Sequence, residues 1–288
     1  MTADHPPSPL IAVGDNCLDV FLSHGHMAVG GNALNVAVQW RRAGLPACYF
    51  GRVGRDGEAE MIAAELARNG LDPADLETGT GATAVTLLLE SAGDREFLLE
   101  DLGAGLGYVP DAARLARLGA AAWVHLGTNS SPALLALLAE RGIPFSVDLS
   151  TRHDEQDLAG AALAFAAGSG SSAPPADQIA RLLAKGARQA VVTCGAGGAW
   201  FHDGEALHHA PAERIEVVDT CGAGDSFIAA FLAARVLGGA APGAALARAT
   251  QAAAATCLHP GGFPQPLHPV PDWLLRKYSD HIPTADPA

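Results

Sequence analysis

The chain has 288 residues, 49% of them hydrophobic and 6% aromatic, and a formal net charge of −13. This length suits one large domain, and two lysines, Lys185 and Lys277, leave no basic stripe for a nucleic-acid backbone. No apolar run reaches the roughly 18 residues of a membrane-spanning helix. The five scattered cysteines lack the paired spacing of a disulfide framework. We therefore expect a cytoplasmic protein that binds neither nucleic acid nor membrane.

Segments typical of strands and helices alternate along the chain. An apolar run ending at Gly14 predicts a buried strand, and "GGNALNVAVQWRRAG" predicts a helix that ends before Gly44. The apolar runs on either side of residues 91–94 predict a hairpin. Strands and helices alternate again from residue 121 to two alanine-rich helices at about 224–237 and 242–257. The glycines and prolines of 261–287 then predict a poorly determined tail with one short helix.

This alternation predicts an α/β fold with one doubly wound, mostly parallel sheet and helices on both faces. The hairpin and residues 15–29 interrupt the alternation. We therefore predict a small β lid formed by segments at about 15–29 and 82–105. The chain is predicted to form a single domain over residues 1–288.

The stretch "DTCGAGDSFIAAF", residues 219–231, runs from glycines directly into an apolar helix. Gly222 and Gly224 permit a close approach of the backbone, and the apolar side chains that follow have helical spacing. The free N–H groups of a first helical turn, together with the positive end of the helix dipole, favour an anion. Taken alone, this stretch is compatible with a simple helix cap or with an anion-binding turn that contains Asp225.

Three motifs, in chain order, resemble the ribokinase-like (PfkB) carbohydrate kinase family. They are the paired glycines, spaced asparagine and G-x-x-G-x-D of residues 30–60, "VVTCGAGG" at 191–198, and "DTCGAGDSF" at 219–227. Together they cover nearly the whole chain. The resemblance implies transfer of the γ-phosphoryl group of ATP to a primary hydroxyl of a sugar. A P-loop is excluded because no G-x-x-x-x-G-K-[ST] occurs.

The resemblance also implies roles on the phosphate side. Asp225 matches the catalytic base, and the backbone N–H groups of Gly222, Ala223 and Gly224 match the anion hole. We expect the helix N-terminus to lower the pKa of Asp225, which a loose transition state tolerates. Backbone donors and Mg²⁺ would supply the positive charge, and the alanine-rich segment 251–259 would pack beside adenine. The implied nucleotide contacts are Thr193, Gly195, Gly198, Gly222 and Gly224.

On the sugar side, the family's binding positions match Asp19, Gly31, Asn32 and Asn35, with Asp225 also touching the acceptor hydroxyl. Carboxylate and amide groups beside a Gly-Gly turn offer the donors and acceptors that sugar hydroxyls need. Without the resemblance, Asn32 is also compatible with a helix N-cap, and Asn35 with a satisfied buried amide.

Two further substrate contacts are predicted. Asp101 follows the lid hairpin, and Arg152 lies in "VDLSTR", which resembles the family's D-x-N-x-R with Ser150 in place of asparagine. Arg152 is equally compatible with an exposed surface arginine. Asp15 is a weaker candidate for the same pocket.

Several points stay open in the sequence. The motifs most resemble those of family members that act on fructoselysine-type sugar–amine conjugates, and an acidic pocket suits an ammonium group. Ribose, fructose, fructose 1-phosphate and nucleosides remain alternative acceptors. The family's Asn-x-x-Glu is missing before "VVTCG", which leaves the position of Mg²⁺ undefined and keeps a non-catalytic sugar sensor as an alternative. The resemblance also points to a homodimer formed through the lid.

Overall fold

The computed structural model describes residues 8–91, 94–151, 156–168 and 171–282. Arg152, a predicted substrate contact, lies outside the described residues. The strands are β1 (Leu10–Val13), β2 (Cys17–Phe21), β3 (His26–Gly30), β4 (Ala47–Val53), β5 (Leu76–Thr78), β6 (Val85–Ser91), β7 (Asp94–Asp101), β8 (Trp123–Leu126), β9 (Phe145–Asp148), β10 (Leu163–Ala167), β11 (Ala190–Thr193), β12 (Ala199–His202), β13 (Leu207–Ala210) and β14 (His268–Pro269).

Nine of the described strands form the main sheet, in the order β13-β12-β11-β10-β9-β8-β1-β4-β5. All neighbouring strands from β11 to β5 pair in parallel, whereas the pairs β11–β12 and β12–β13 at one edge are antiparallel. The predicted doubly wound, mostly parallel sheet is thereby confirmed. The antiparallel ribbon at one edge corresponds to the segment "GAWFHDGEALHHAP".

Helices cover both faces of this sheet, as predicted. They are α1 (Asn32–Arg42), α2 (Gly57–Arg68), α3 (Ala112–Leu118), α4 (Pro132–Glu140), α5 (Pro175–Ala184), α6 (Ala223–Leu232), α7 (Pro242–Thr256) and α8 (Asp272–Lys277). Alternate residues of β1 enter different apolar clusters, with Leu10 and Ala12 on the side of α1, α6 and α7, and Ile11 and Val13 on the side of α3, α4 and α5. Within the described ranges, no helix combines the length and hydrophobicity needed to cross a membrane.

A second, smaller sheet has the order β14-β3-β2-β6-β7, and its first four strands in the chain fall within the two predicted lid segments. Its edge strand β14 comes from the region predicted to be a poorly determined tail. The side chain of Gln265 anchors this region, because its amide accepts from the Val29 N–H at 2.8 Å and donates to the Val29 carbonyl at 2.7 Å. The tail prediction is therefore wrong for residues 261–270.

The order of the strands reverses between the adjacent strands β1 and β8. In the main sheet, the chain passes from β1 to β4 and β5 on one side and then returns to β8 and β9 on the other side. In doubly wound sheets, ligands bind beyond the carboxyl ends of the strands at such a switch point. The residues that follow β1 and β8 here are Asp15, Asn16, Thr128 and Asn129. This edge of the sheet faces the second sheet through the cavity described below.

A buried hydrogen bond joins the side chain of α1 residue Trp40 to the backbone of α6. The Trp40 indole, 1% exposed, donates from Nε1 to the Ala229 carbonyl at 3.0 Å. Because α1 begins at Asn32 and α6 carries Asp225, this contact helps to hold the two helix N-termini in a common register.

We predict that Trp40→Ala lowers the free energy of unfolding by about 3–5 kcal/mol, because it removes a buried aromatic side chain and leaves a cavity. Urea denaturation followed by circular dichroism measures this change. The matched control is Trp273→Ala, whose side chain is 43% exposed and which should change stability by only about 0.5 kcal/mol. Equal losses in the two variants would contradict the packing described.

Candidate active site

The acidic cavity, of about 470 Å³, lies between the second sheet and the carboxyl ends of the main strands. Asp19 and Thr86 line it from the second sheet, and Asn32 and Asn35 line it from α1. Among the described residues that line it, none is lysine, arginine or histidine. The carboxylates that line it are Asp15, Asp19, Glu100, Asp148 and Asp225.

The N-terminus of α1 is shaped by residues that follow β1. Gly31 has φ of 110°, and a Cβ there would lie 2.5 Å from the Asn16 Cα, so only glycine fits. The Asp15 carboxylate accepts from the N–H groups of Asn32 at 2.8 Å and Ala33 at 3.4 Å. Asp15 therefore caps the helix, and the N-cap role considered for Asn32 is wrong. The Asn32 side chain instead reaches into the acidic cavity.

Two amides of α1 hold the Asp225 carboxylate. Asn32 Nδ2 donates to Asp225 Oδ1 at 2.5 Å, and Asn35 Nδ2 donates to Asp225 Oδ2 at 2.7 Å. The same Asn32 nitrogen donates to Asp148 Oδ2 at 2.9 Å. Asn35 is 3% exposed. The structure thus brings together the predicted base and the two predicted asparagines at one end of the cavity.

Three carboxyl groups in this cavity, those of Asp15, Asp148 and Asp225, hold their protons more tightly than usual. The pKa of Asp225 is raised to about 8, mainly by burial and also by the charges of Asp148 and Asp15, whereas the hydrogen bonds from Asn35 and Asn32 lower it. Burial likewise raises the pKa of Asp148 to about 6 and that of Asp15 above its ordinary value. The predicted low pKa of Asp225 is wrong, because burial and neighbouring carboxylates outweigh the helix N-terminus.

The turn before α6 has the close approach that its glycines predict. Gly222 has φ of 71°, and a Cβ there would lie 2.3 Å from the Gly262 Cα. α6 begins at Ala223 and has no side-chain cap. A Cβ on Gly224, by contrast, would meet no protein atom within 4 Å. The N-terminus of α6 is therefore open toward the space beside Asp225.

The C-terminal segment supports this turn, a role that sequence reasoning missed. The Asp219 carboxylate accepts from the Cys221 N–H at 2.9 Å and from the Gly261 N–H at 2.8 Å. Gln39 Nε2 donates to the Gly262 carbonyl at 2.9 Å. The paired glycines of "HPGGF" were the available signal, because such pairs permit close backbone approaches.

A glycine-rich cavity of about 650 Å³ adjoins the acidic cavity. Four of the five predicted nucleotide contacts, Thr193, Gly195, Gly198 and Gly224, line it together with Ala253 and Ala254 of the alanine-rich segment, whereas Gly222 lines only the acidic cavity. The lining residues that the two cavities share are Thr193, Thr220 and Gly224. The cavities therefore meet at the N-terminus of α6, next to Asp225.

Of the predicted substrate contacts Asp19 and Asp101, only Asp19 lines the acidic cavity. The Asp19 Oδ1 accepts a hydrogen bond from the Cys17 thiol at 3.2 Å. Asp101 does not line the cavity; it accepts from the Gly103 N–H at 3.0 Å and from the Tyr278 hydroxyl at 3.2 Å. Glu100 lines the cavity instead. Successive residues of a strand point to opposite faces, so a one-residue difference decides which carboxylate enters.

Asp148 is a further site residue that sequence reasoning missed. It ends β9, and its carboxylate accepts from the Ser150 N–H at 3.0 Å and from the Thr128 hydroxyl at 3.2 Å. The sequence feature that could have identified Asp148 was its position as the first residue of "DLSTR", at the carboxyl end of a predicted strand.

Comparisons with known proteins identify the family of this chain. The model of the pfkB family carbohydrate kinases matches residues 13–145 and 149–266. The chain is 33% identical over 265 residues to fructoselysine 6-kinase of Escherichia coli (strain K12), covering 88% of this chain and 99% of that protein. It is 31% identical over 244 residues to fructosamine kinase FrlD of Bacillus subtilis (strain 168), covering 78% and 82% of the two chains.

The fold is similar to a solved structure of Arabidopsis thaliana ribokinase complexed with ribose and ATP. The TM-score is 0.77 at 20% identity, over 90% of this chain and 96% of that chain. This likeness shows a ribokinase fold. With the family model matching residues 13–145 and 149–266, the chain belongs to the pfkB family of carbohydrate kinases and is an ATP-dependent phosphotransferase, as its motifs predict.

Proposed function

We propose that this kinase phosphorylates a primary hydroxyl of a fructoselysine-type sugar–amine conjugate. The observation that carries the proposal is the acidic cavity, which has five carboxylates and no basic side chain among its described lining residues. The names of the two relatives, fructoselysine 6-kinase and fructosamine kinase FrlD, support the same class of acceptor.

The charge of the cavity selects among the acceptors that the sequence left open. Clustered carboxylates repel one another, which is one reason that the pKa values of Asp148 and Asp225 are raised. An ammonium group in the cavity relieves this repulsion and forms charge-assisted hydrogen bonds. A sugar phosphate such as fructose 1-phosphate adds to the repulsion. A cationic sugar derivative is therefore favoured over a phosphorylated one.

ATP would occupy the glycine-rich cavity. Adenine would lie beside Ala253 and Ala254, and Thr193, Gly195 and Gly198 would line the path to the phosphates. The γ-phosphate would then face the N-terminus of α6, where helix N–H groups and the helix dipole favour an anion. Because the two cavities meet at Gly224, the γ-phosphate and the acceptor hydroxyl would come together beside Asp225.

Asp225 would orient the acceptor hydroxyl and accept its proton. As the hydroxyl oxygen bonds to the γ-phosphorus, the bond between that phosphorus and the bridging oxygen of ADP breaks, and the hydroxyl proton moves to the carboxylate. The amides of Asn32 and Asn35 hold both carboxylate oxygens during this step. A base whose pKa is near the working pH is suited to such a transfer.

Mg²⁺ normally accompanies ATP and neutralises phosphate charge. Within the part of the chain that the structure describes, no group of three or more His, Cys, Asp or Glu side chains is arranged to hold a metal ion. The described residues therefore do not form a protein-built magnesium site. We propose that Mg²⁺ enters the site together with ATP, as MgATP. The side chains of the protein would orient the acceptor hydroxyl and accept its proton.

Three further parts of the proposal concern the chain as a whole. We propose that residues 1–288 form one kinase domain, with the second sheet acting as a lid that excludes water from the acidic cavity. We propose a homodimer formed through this sheet, where Phe97 is 63% exposed at the cavity mouth. The five free cysteines suit a cytoplasmic location.

We predict that Asp225→Asn lowers kcat by about 10²–10⁴-fold, because the acceptor hydroxyl loses its base. ADP release from MgATP and fructoselysine measures kcat, and calorimetry is expected to show both ligands still bound. Asp177→Asn, an exposed carboxylate of α5 outside both cavities, is the control. An unchanged kcat in Asp225→Asn would exclude the assigned role.

Two glycine variants separate folding from phosphate transfer. Gly224→Val should retain the wild-type Tm and lose most activity, because a Cβ at this position meets no protein atom within 4 Å and Gly224 lines both cavities where they join. Gly222→Ala should lower the Tm, because its Cβ collides with Gly262. Thermal unfolding and ADP release are measured on both variants. Full activity in Gly224→Val would refute the phosphate position.

The proposed acceptor is tested with a panel of fructoselysine, fructose, ribose, fructose 1-phosphate and adenosine. We expect kcat/KM for fructoselysine to exceed that for fructose by about 10-fold or more, since a charge-assisted hydrogen bond contributes about 1.5–3 kcal/mol. Glu100→Gln should raise the KM for fructoselysine by about 2–5-fold and leave that for fructose unchanged. A preference for fructose 1-phosphate would overturn the proposed acceptor.

A further inference from the structure

One amide nitrogen links two carboxylates at the end of the acidic cavity. Asn32 Nδ2 lies 2.5 Å from Asp225 Oδ1 and 2.9 Å from Asp148 Oδ2. An amide nitrogen carries two N–H donors, so these contacts use both of them. Asp148 and Asp225, which come from β9 and α6, are thus held in contact with one side chain of α1.

Asp148 is engaged by the protein rather than turned toward a ligand. The residue is 8% exposed, its Oδ1 accepts from the Ser150 N–H, and its Oδ2 accepts from both Thr128 and Asn32. Each oxygen of this carboxylate therefore has a partner in the protein. The orientation of this carboxylate is therefore fixed by the protein, which suits an effect on the neighbouring Asp225 better than binding of the sugar.

We propose that Asp148, acting through the Asn32 amide, is a positioning residue that fixes the orientation of the Asp225 carboxylate and its readiness to take up a proton. The inference rests on the proposed function, in which Asp225 is the base. Neither the family motifs nor the names of the relatives assign this role to Asp148.

Asp148 and Asn32 act on Asp225 in opposite directions. The negative charge of Asp148 disfavours the ionised form of Asp225, whereas the amide of Asn32 donates to that ionised form and favours it. The ionisable groups that face this cavity from every surrounding element, besides Asp148 on β9, are Asp15 after β1, Cys17 and Asp19 on β2, Glu100 on β7 and Cys221 before α6.

The variants Asp148→Asn and Asn32→Ala should therefore shift the pH dependence of kcat in opposite directions. Activity requires ionised Asp225, so the acidic limb of the profile follows its pKa. Asp148→Asn removes a nearby negative charge and should move this limb down by about 1 pH unit. Asn32→Ala removes a stabilising donor and should move it up. Both variants should also lower the plateau kcat, because the carboxylate is less well oriented.

Profiles of kcat against pH for wild type, Asp148→Asn and Asn32→Ala, with MgATP and fructoselysine, test the proposal. Asp177→Asn is expected to give the wild-type profile. Thr128→Val, which keeps both carboxylates and removes one donor to Asp148, should move the limb in the direction of Asp148→Asn by a smaller amount. Thr128→Val replaces Asp148→Asn in the test if Asp148→Asn does not fold.

The outcomes separate this inference from the proposed function. Opposite shifts in Asp148→Asn and Asn32→Ala support the positioning role, whereas a purely structural role predicts lower kcat with an unmoved acidic limb and would overturn it. Shifts in the same direction would also overturn it. A wild-type enzyme that phosphorylates no acceptor in the panel would reject the proposed function first, and this inference with it.

Discussion

The mutual repulsion of five carboxylates in one cavity is the constraint on which the rest of the site depends. The buried members described by the structure accept hydrogen bonds from donors of the protein. Asp15 caps α1, Asp148 accepts from Ser150 and Thr128, and Asp225 accepts from two asparagines of α1. Neutral donors offset only part of the cost of burial and of the repulsion, so the pKa values of Asp15, Asp148 and Asp225 stay raised. A site in this condition gains most from a ligand that brings positive charge.

The fold explains why these groups meet. The reversal of strand order between β1 and β8 opens a crevice at the carboxyl ends of the parallel strands, where Asp15 and Asp148 are located. α1 and α6 then direct their N-termini to the same crevice, joined by Trp40. One helix N-terminus is occupied by the carboxylate of Asp15, and the other has no side-chain cap and is open to a phosphate. In the proposed function, this difference separates the sugar side from the nucleotide side.

Local pattern was enough to predict the mostly parallel sheet, the helices on both faces and the family, because apolar periodicity and glycine motifs are short-range signals. The same motifs predicted Asp225, Asn32 and Asn35, which the structure brings together. Long-range features were not predictable in this way. The choice of Glu100 over Asp101 depends on strand register, and the support of Gly222 by Gly262 depends on tertiary contact. The raised pKa of Asp225 depends on burial in the folded protein and on carboxylates distant in sequence.

The central claim is that the acidic cavity receives a cationic sugar whose hydroxyl is presented to Asp225. A crystal structure with fructoselysine and a non-hydrolysable ATP analogue tests it most directly. The account predicts the 6-hydroxyl within hydrogen-bond distance of Asp225, about 2.6–3.2 Å, with the γ-phosphate at the N-terminus of α6 and the amine among the carboxylates of the cavity. A sugar bound with its amine outside the cavity, or with no hydroxyl near Asp225, would contradict the account.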